Sequence, residues 1–169
     1  MAVEIEVTEF REFFKRCREA ARGDFRKECE QFLEALGFEF LRLIQDEIIR
    51  RKVMDTRLLL NSFHKDGDGN IWSLNVGDLT LEVGTNVHYA GYVNDGHWTN
   101  PEGVEYRFVP GSWDGDTFTH DPTAKGGIML KQKWVPGSHY WESGLRILDQ
   151  MIPGLLEEKL QEWFDNYFS

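Results

Sequence analysis

Twelve residues fix more of the fold than any other stretch of the chain. From Trp72 to Val83 large apolar side chains alternate with small or polar ones: Trp72, Leu74 and Val76 with Ser73 and Asn75, then Leu79, Leu81 and Val83 with Thr80 and Glu82. An alternation of period two places every second side chain on one face of a strand. Between the runs stand only Gly77 and Asp78, a two-residue link of the kind a primed hairpin turn accepts. The register that follows pairs Val76 with Leu79, Leu74 with Leu81 and Trp72 with Val83. All six large side chains then share one face, which has to be buried.

What covers that face is legible on either side. After Asp24, the residues Phe25, Cys29, Phe32, Leu36, Phe40, Ile44 and Ile48 recur at steps of three and four. They predict a helix to about Arg51, about 40 Å long, with Gly37 in its middle. Arg50, Arg51 and Lys52 close it, where cations meet the carbonyl end of the helix dipole. A shorter helix is expected over about 8–22, capped by Thr8 and striped by Phe10, Phe13, Phe14 and Cys17. Asp55 or Thr56 caps another through Leu58, Leu59 and Leu60 to Phe63. The chain closes on Trp141, Leu145, Leu148, Ile152, Leu155, Leu156, Leu160, Trp163 and Phe164 at helical spacing, with Pro153 predicting a kink or two abutting helices. The fold class expected is α+β: a small antiparallel sheet, with its hairpin at about 70–84, packed against long N-terminal and C-terminal helices in a single domain, 1–169.

Residues 94–140 break this pattern. They hold Pro101, Pro110, Pro122 and Pro136, four of the five prolines, and also Trp98, Tyr106, Phe108, Trp113, Phe118 and Trp134. A solvated linker does not carry aromatics in this number. The stretch reads as a long excursion with a task of its own, containing short strands at Val104–Val109 and Thr117–Thr119.

Charge and composition narrow the function. The net charge of −10 repels phosphate backbones and anionic membranes. No apolar run reaches the roughly 20 residues of a membrane span. Residues 1–14 carry Glu4, Glu6, Glu9 and Glu12 with no signal-peptide core, so folding in a cytoplasm is expected, with Cys17 and Cys29 as thiols. Asp66, Asp68 and Asn70 resemble the start of a calcium loop. The sixth and twelfth places hold Ile71 and Gly77, where such a loop needs glycine and glutamate, and a polar turn is the better reading. His64, His88, His97, His120 and His139, with Asp95 and Asp121, offer ligand chemistry for zinc or iron, but none shows helical metal spacing. Nucleophile elbows, phosphate-binding glycine loops and dinucleotide fingerprints are absent. The expectation is a non-enzyme with no cofactor and no metal.

One segment carries a resemblance. Val83, Gly84, Thr85, Asn86, Tyr89, Ala90, Tyr92, Val93 and Gly96 match Val-Gly-[Ser/Thr]-Asn-x-x-Tyr-Ala-x-Tyr-Val-x-x-Gly, which is similar to the signature of a family of tailed-phage minor structural proteins. Its members are described as tail components, neck proteins, or head–tail joining and tail-completion proteins. The order of elements resembles the family too, including the short Thr-x-x-Leu-x-x-Ser helix at Thr56, Leu59 and Ser62. Asp95-Gly96-His97-Trp98-Thr99-Asn100-Pro101 looks closest to members from defective contractile prophage particles of Gram-positive bacteria. Read from the residues, the signature is a folding element: Gly84 ends a strand, Asn86 accepts a turn, and Tyr89, Tyr92 and Val93 share one face of a short helix packed on the hairpin.

The resemblance implies a virion protein of the neck or tail, assembled in the host cytoplasm as a homo-oligomeric ring. Its partners would be other neck, adaptor or tail proteins, with DNA passing nearby but not tightly bound. The excursion would grip a neighbouring subunit through Trp98, Tyr106, Phe108, Trp113, Phe118 and Trp134. Alternatives are a tail terminator of a contractile particle, a monomeric protein-binding module, and a metal-dependent hydrolase using His88, His97 and Asp95.

Overall fold

A computed structural model describes residues 1–5, 24–53 and 57–168. The helix expected over 8–22, with Cys17, and the caps at Asp55 and Thr56 lie outside the described residues. The chain divides into two units. The first comprises Met1–Asn94 and Ser138–Ser169, the second Asp95–Gly137.

In the first unit the helical periodicity after Asp24 produces α1 (Asp24–Arg50). Leu36, Phe40, Ile44 and Ile48 are buried along one stripe, and Leu33, Leu41 and Leu43 widen it. The helix stops where the basic residues were expected to close it. Lys52 takes a left-handed conformation (φ 56°). Its N–H donates to Ile49 O at 3.0 Å, and Val53 N–H donates to Ile48 O at 3.2 Å. This paired pattern satisfies carbonyls that a helix end otherwise leaves open, and Val53 packs onto the core beside it. A short helix, α2 (Leu58–Asn61), follows.

The hairpin forms in the expected register. β2 (Asn70–Asn75) and β3 (Thr80–Thr85) run antiparallel, with Trp72 opposite Val83 and Leu74 opposite Leu81. The turn differs from the primed two-residue link. Pairing ends at Asn75–Thr80, and residues 76–79 make the loop, with Leu79 in the left-handed region (φ 55°). Asn75 organises it: its Oδ1 accepts the N–H of Gly77 at 2.9 Å and that of Asp78 at 3.2 Å. In consequence Val76 is exposed, while Leu81 and Val83 are fully buried.

A third strand was not anticipated. β1 (Ala2–Ile5) pairs with the free edge of β3, Val3 opposite Val83 and Ile5 opposite Leu81, giving the order β1-β3-β2. The sheet packs on α1 so closely that Gly37 faces Leu81 and Trp72 directly. After the sheet comes α3 (Ala90–Asp95), and the unit closes with α4 (Tyr140–Phe168). α4 is one continuous helix through Pro153 rather than two abutting ones. Tyr140, Trp141 and Leu148 complete the core, and Trp141 meets Phe40 edge to face at 5.1 Å. Each large apolar side chain so buried contributes about 1.5–3 kcal/mol.

The second unit is built of strands. β4 (Gly96–Trp98) pairs antiparallel with β8 (Trp134–Pro136). β5 (Tyr106–Asp114) is flanked by β6 (Thr117–His120) and β7 (Gly127–Lys131), order β6-β5-β7. The two short strands expected from the sequence are present in longer form, and three more accompany them.

Candidate functional site

The signature residues spend their polar groups on the backbone and on Ser62, at the end of α2. Thr85, with no exposed surface, donates its hydroxyl to Ser62 Oγ at 2.8 Å and accepts Val87 N–H at 3.1 Å. Ser62 passes its own hydroxyl proton to Leu59 O at 2.8 Å, so the short helix α2 is tied to the end of β3. Tyr89 Oη accepts Leu59 N–H at 3.2 Å. Asn86 N–H donates to Gly69 O at 2.9 Å. Val93 and Tyr89 pack against the core, whereas Tyr92, expected on the same face, is 58% exposed.

Asn94 was read only as a variable position of the signature, and it does the most. Fully buried, it accepts Trp141 N–H on Oδ1 at 3.0 Å and donates Nδ2 to Glu142 Oε1 at 2.9 Å. A residue 47 positions away thus satisfies an open N–H in the first turn of α4. Next to it, Val93 O accepts both the N–H (2.9 Å) and the hydroxyl (2.8 Å) of Ser138, and Asn94 O accepts His139 N–H at 2.9 Å. The two ends from which the excursion departs and returns are therefore bonded together.

Behind this junction lies a charged cluster. Glu47, 5% exposed, accepts from Arg50 Nε at 2.7 Å and Arg51 Nε at 3.0 Å. Arg51 also donates to Ser138 O. The Arg50 hydrogen bond outweighs the cost of burial and, with Ser143 and Arg51, lowers the Glu47 carboxyl to about 2.

The second unit presents a different surface. Trp98 and Trp134 are a directly opposed pair, edge to face at 5.3 Å, and both are about half exposed. Trp113 opposes Phe118 at 5.4 Å, with Trp113 59% exposed and Phe118 partly covered. Tyr106 lies opposite Lys131, whose ammonium stands 6.0 Å from the ring, and Phe108 opposite Met129. Since opposed residues share a face, Tyr106, Phe108, Met129 and Lys131 form one exposed side of the β5–β7 ribbon. The six aromatics named from the sequence are all on paired strands, and Met129 and Lys131 are additions that sequence reading missed.

The backbone beneath these side chains is held by local contacts. Gly96 has φ +89°, and a Cβ there would lie 2.6 Å from Val135 O. Asn100, 3% exposed, donates Nδ2 to the carbonyls of Val104, Glu105 and Leu130 at 3.1–3.4 Å. Asp121 accepts both the N–H and the hydroxyl of Thr123, at 2.8 and 2.7 Å, and these bonds hold its carboxyl below the usual range.

Among the described residues no three His, Cys, Asp or Glu side chains come together so as to hold a metal ion. Asn70, in the calcium-like run, donates its amide to Ser62 O at 2.8 Å. A hollow of about 20 Å³ between α1 and α4 is lined by Cys29, Phe32, Leu156, Leu160 and Trp163 together with Glu28 and Lys159, which pair with each other at 3.0 Å. Among the described residues no helix is long and apolar enough to cross a membrane.

Comparison with known proteins supplies the family. An "Uncharacterized protein YqbI" of Bacillus subtilis (strain 168) is 49% identical over 160 residues, covering 93% of this chain and 96% of the relative. "Phage-like element PBSX protein XkdI" of the same organism is 43% identical over 146 residues, 86% of this chain and 89% of the relative. No solved structure matches. Residues 11–96 match the family model described as "Bacteriophage HK97-gp10, putative tail-component", and the chain belongs to that family of phage tail components.

Proposed function

We propose that the chain is a non-enzymatic structural subunit of the neck of a tailed phage-like particle. Several copies form a closed ring that joins head to tail or completes the tail, as a terminator does in a contractile particle. Its partners are further copies of itself and adjoining neck, adaptor or tail proteins. It resides in the virion after assembly in the cytoplasm of the bacterial host. Membership of the tail-component family and the phage-like element named for a relative support the particle context.

The observation that carries the reading is the aromatic surface of β4–β8. Trp98, Trp113 and Trp134 are 54%, 59% and 49% exposed on strands that are already paired. Soluble monomers rarely leave that much aromatic surface in water, and buried tryptophans are the usual anchors of subunit interfaces. The net charge of −10 suits a ring through which DNA slides without sticking.

The test replaces Trp113 and Trp134 together by alanine. Both are half exposed and their strands stay paired, so the protein should fold with near-normal helical signal. Particle incorporation should be lost. Double variants that enter mature particles at the wild-type level would overturn the gripping arm. Tight DNA binding by the pure protein at physiological salt would overturn the sliding surface.

A further inference from the structure

We infer that the β5–β7 face bearing Tyr106, Phe108, Met129 and Lys131 docks against the outer face of α4, around Glu157 and Glu158, on the next copy of this chain. The inference rests on the ring reading above and names its contact.

Three observations point there. First, Tyr106, Phe108 and Met129 are 49%, 51% and 60% exposed on one face of a paired ribbon, an apolar patch that water does not stabilise. Second, the stretch that carries β7 is basic in an acidic chain, and the acids at β5 stand at that strand's two ends, Glu105 and Asp114. No acidic residue occurs between Asp121 and Glu142, while Lys125, Lys131 and Lys133 all do. Among the described residues none of the three lysines makes an ion pair. Third, the same polypeptide carries the complement. Beyond Pro153, the exposed positions of α4 recur at three- and four-residue steps: Glu157, Glu158, Gln161, Glu162 and Asp165. Among the described residues Glu157 and Glu158 have no cationic partner, whereas Glu162 is shared with Lys159. Phe164, 48% exposed, stands in the same stripe and supplies apolar surface beside the carboxylates.

A basic, apolar face on one unit and an acidic, partly apolar stripe on another make a heterologous contact. Such a contact repeats from copy to copy and closes into a ring when the rotation allows. Opposite charges also set the register of the contact and speed the encounter.

The experiment reverses the charges in full-length protein and counts copies per purified particle by quantitative mass spectrometry. Lys131→Glu is expected to lower incorporation by about tenfold, and Glu157→Lys with Glu158→Lys to do the same. The combined triple variant is expected to return to within about twofold of wild type. All these positions are exposed, and unchanged thermal unfolding of each variant checks that folding is intact. Carbodiimide treatment of wild-type particles should also yield a peptide joining Lys131 to Glu157 or Glu158. If wild-type chain enters particles but the single reversals are harmless, or the triple variant is no better than its parents, the contact is wrong and the ring survives. If the wild-type chain is absent from particles, the ring reading fails and takes this contact with it.

Discussion

Gly37→Ala sets two known effects against each other, and the structure decides the sign. Gly37 lies in the middle of α1, where alanine is favoured over glycine by about 1 kcal/mol on propensity alone. A methyl group there would sit 2.3 Å from Leu81 Cδ2 and 2.7 Å from Trp72 Cη2, well inside the 3.4 Å at which ordinary contact begins. Leu81 has no exposed surface, and Trp72 is already engaged with Phe38 at 4.9 Å, so neither can retreat freely. Overpacking of this kind costs about 1–3 kcal/mol. The helix or the hairpin has to shift, and the net expectation is a loss of about 1–2 kcal/mol. For a chain of this size that lowers the melting temperature by roughly 2–8 °C. The assay is thermal unfolding followed by far-ultraviolet circular dichroism, since both long helices belong to the unit that holds Gly37. Leu81→Ala supplies the control: it removes the nearer clash and leaves Trp72 Cη2 at 2.7 Å, so Gly37→Ala should cost less in that background than in wild type. A Gly37→Ala protein that melts higher than wild type would show that the sheet does not press on α1 at this point.

Three more perturbations read separate parts of the first unit. Asn94→Ala strands the Trp141 N–H in the interior and should cost about 1–3 kcal/mol by urea unfolding; a change under about 0.5 kcal/mol would remove Asn94 as the cap of α4. Thr85→Val keeps the shape but leaves Val87 N–H and Ser62 without their partner, with a similar expected loss; equal stability would show that water replaces the hydroxyl. Glu47 titrates below its ordinary 4.5, at about 2, so its contribution is complete above pH 4.5 and is lost as the pH falls toward about 2. The linked stabilisation is at most about 3 kcal/mol, and Glu47→Gln should flatten the stability profile in that acid window alone; identical profiles for both proteins would refute the linkage.

The parts of the fold that were legible in the sequence are those set by local periodicity. The stripe from Phe32 to Ile48 needs only a 3.6-residue repeat to be seen, and the pairing of Trp72 with Val83 needs only an alternation. What was missed depends on partners far along the chain. Val3 and Ile5 alternate with acidic neighbours, yet four residues of alternation become a strand only because β3 offers an open edge 80 positions later. The hairpin turn was misread because Asn75, not Gly77, organises it, and a side-chain bond to the following N–H groups outcompetes the primed geometry. Tyr92 was placed inward from helical spacing, but α3 spans six residues, Ala90–Asp95, and one turn on so short a helix does not face one surface. Three strands of the second unit, β4, β7 and β8, escaped for a different reason. Apolar–polar alternation marks a strand with one wet face, and Trp134, Val135 and Pro136 of β8 are all exposed, so the pattern that reveals strands is missing there. Their aromatics were nonetheless visible as residues without a core to fill, and that surplus is what the candidate surface is made of.

The chain divides at a hydrogen-bonded junction. The family match ends at residue 96, and the second unit begins at Asp95. At that boundary Val93, Asn94, Ser138 and His139 bond to one another, and Asn94 caps α4 whatever lies between. Closing the two ends at a hydrogen-bonded junction makes the length and content of the intervening chain nearly indifferent to the first unit, because loop entropy grows only slowly with length. A phage component built this way can keep one body and change the strands it presents. Beyond Pro153, Glu157 and Glu158 are exposed on α4 without an ion pair among the described residues, and Lys131 is exposed on the β5–β7 ribbon. In the docking we propose, these are the charges that a second copy brings together.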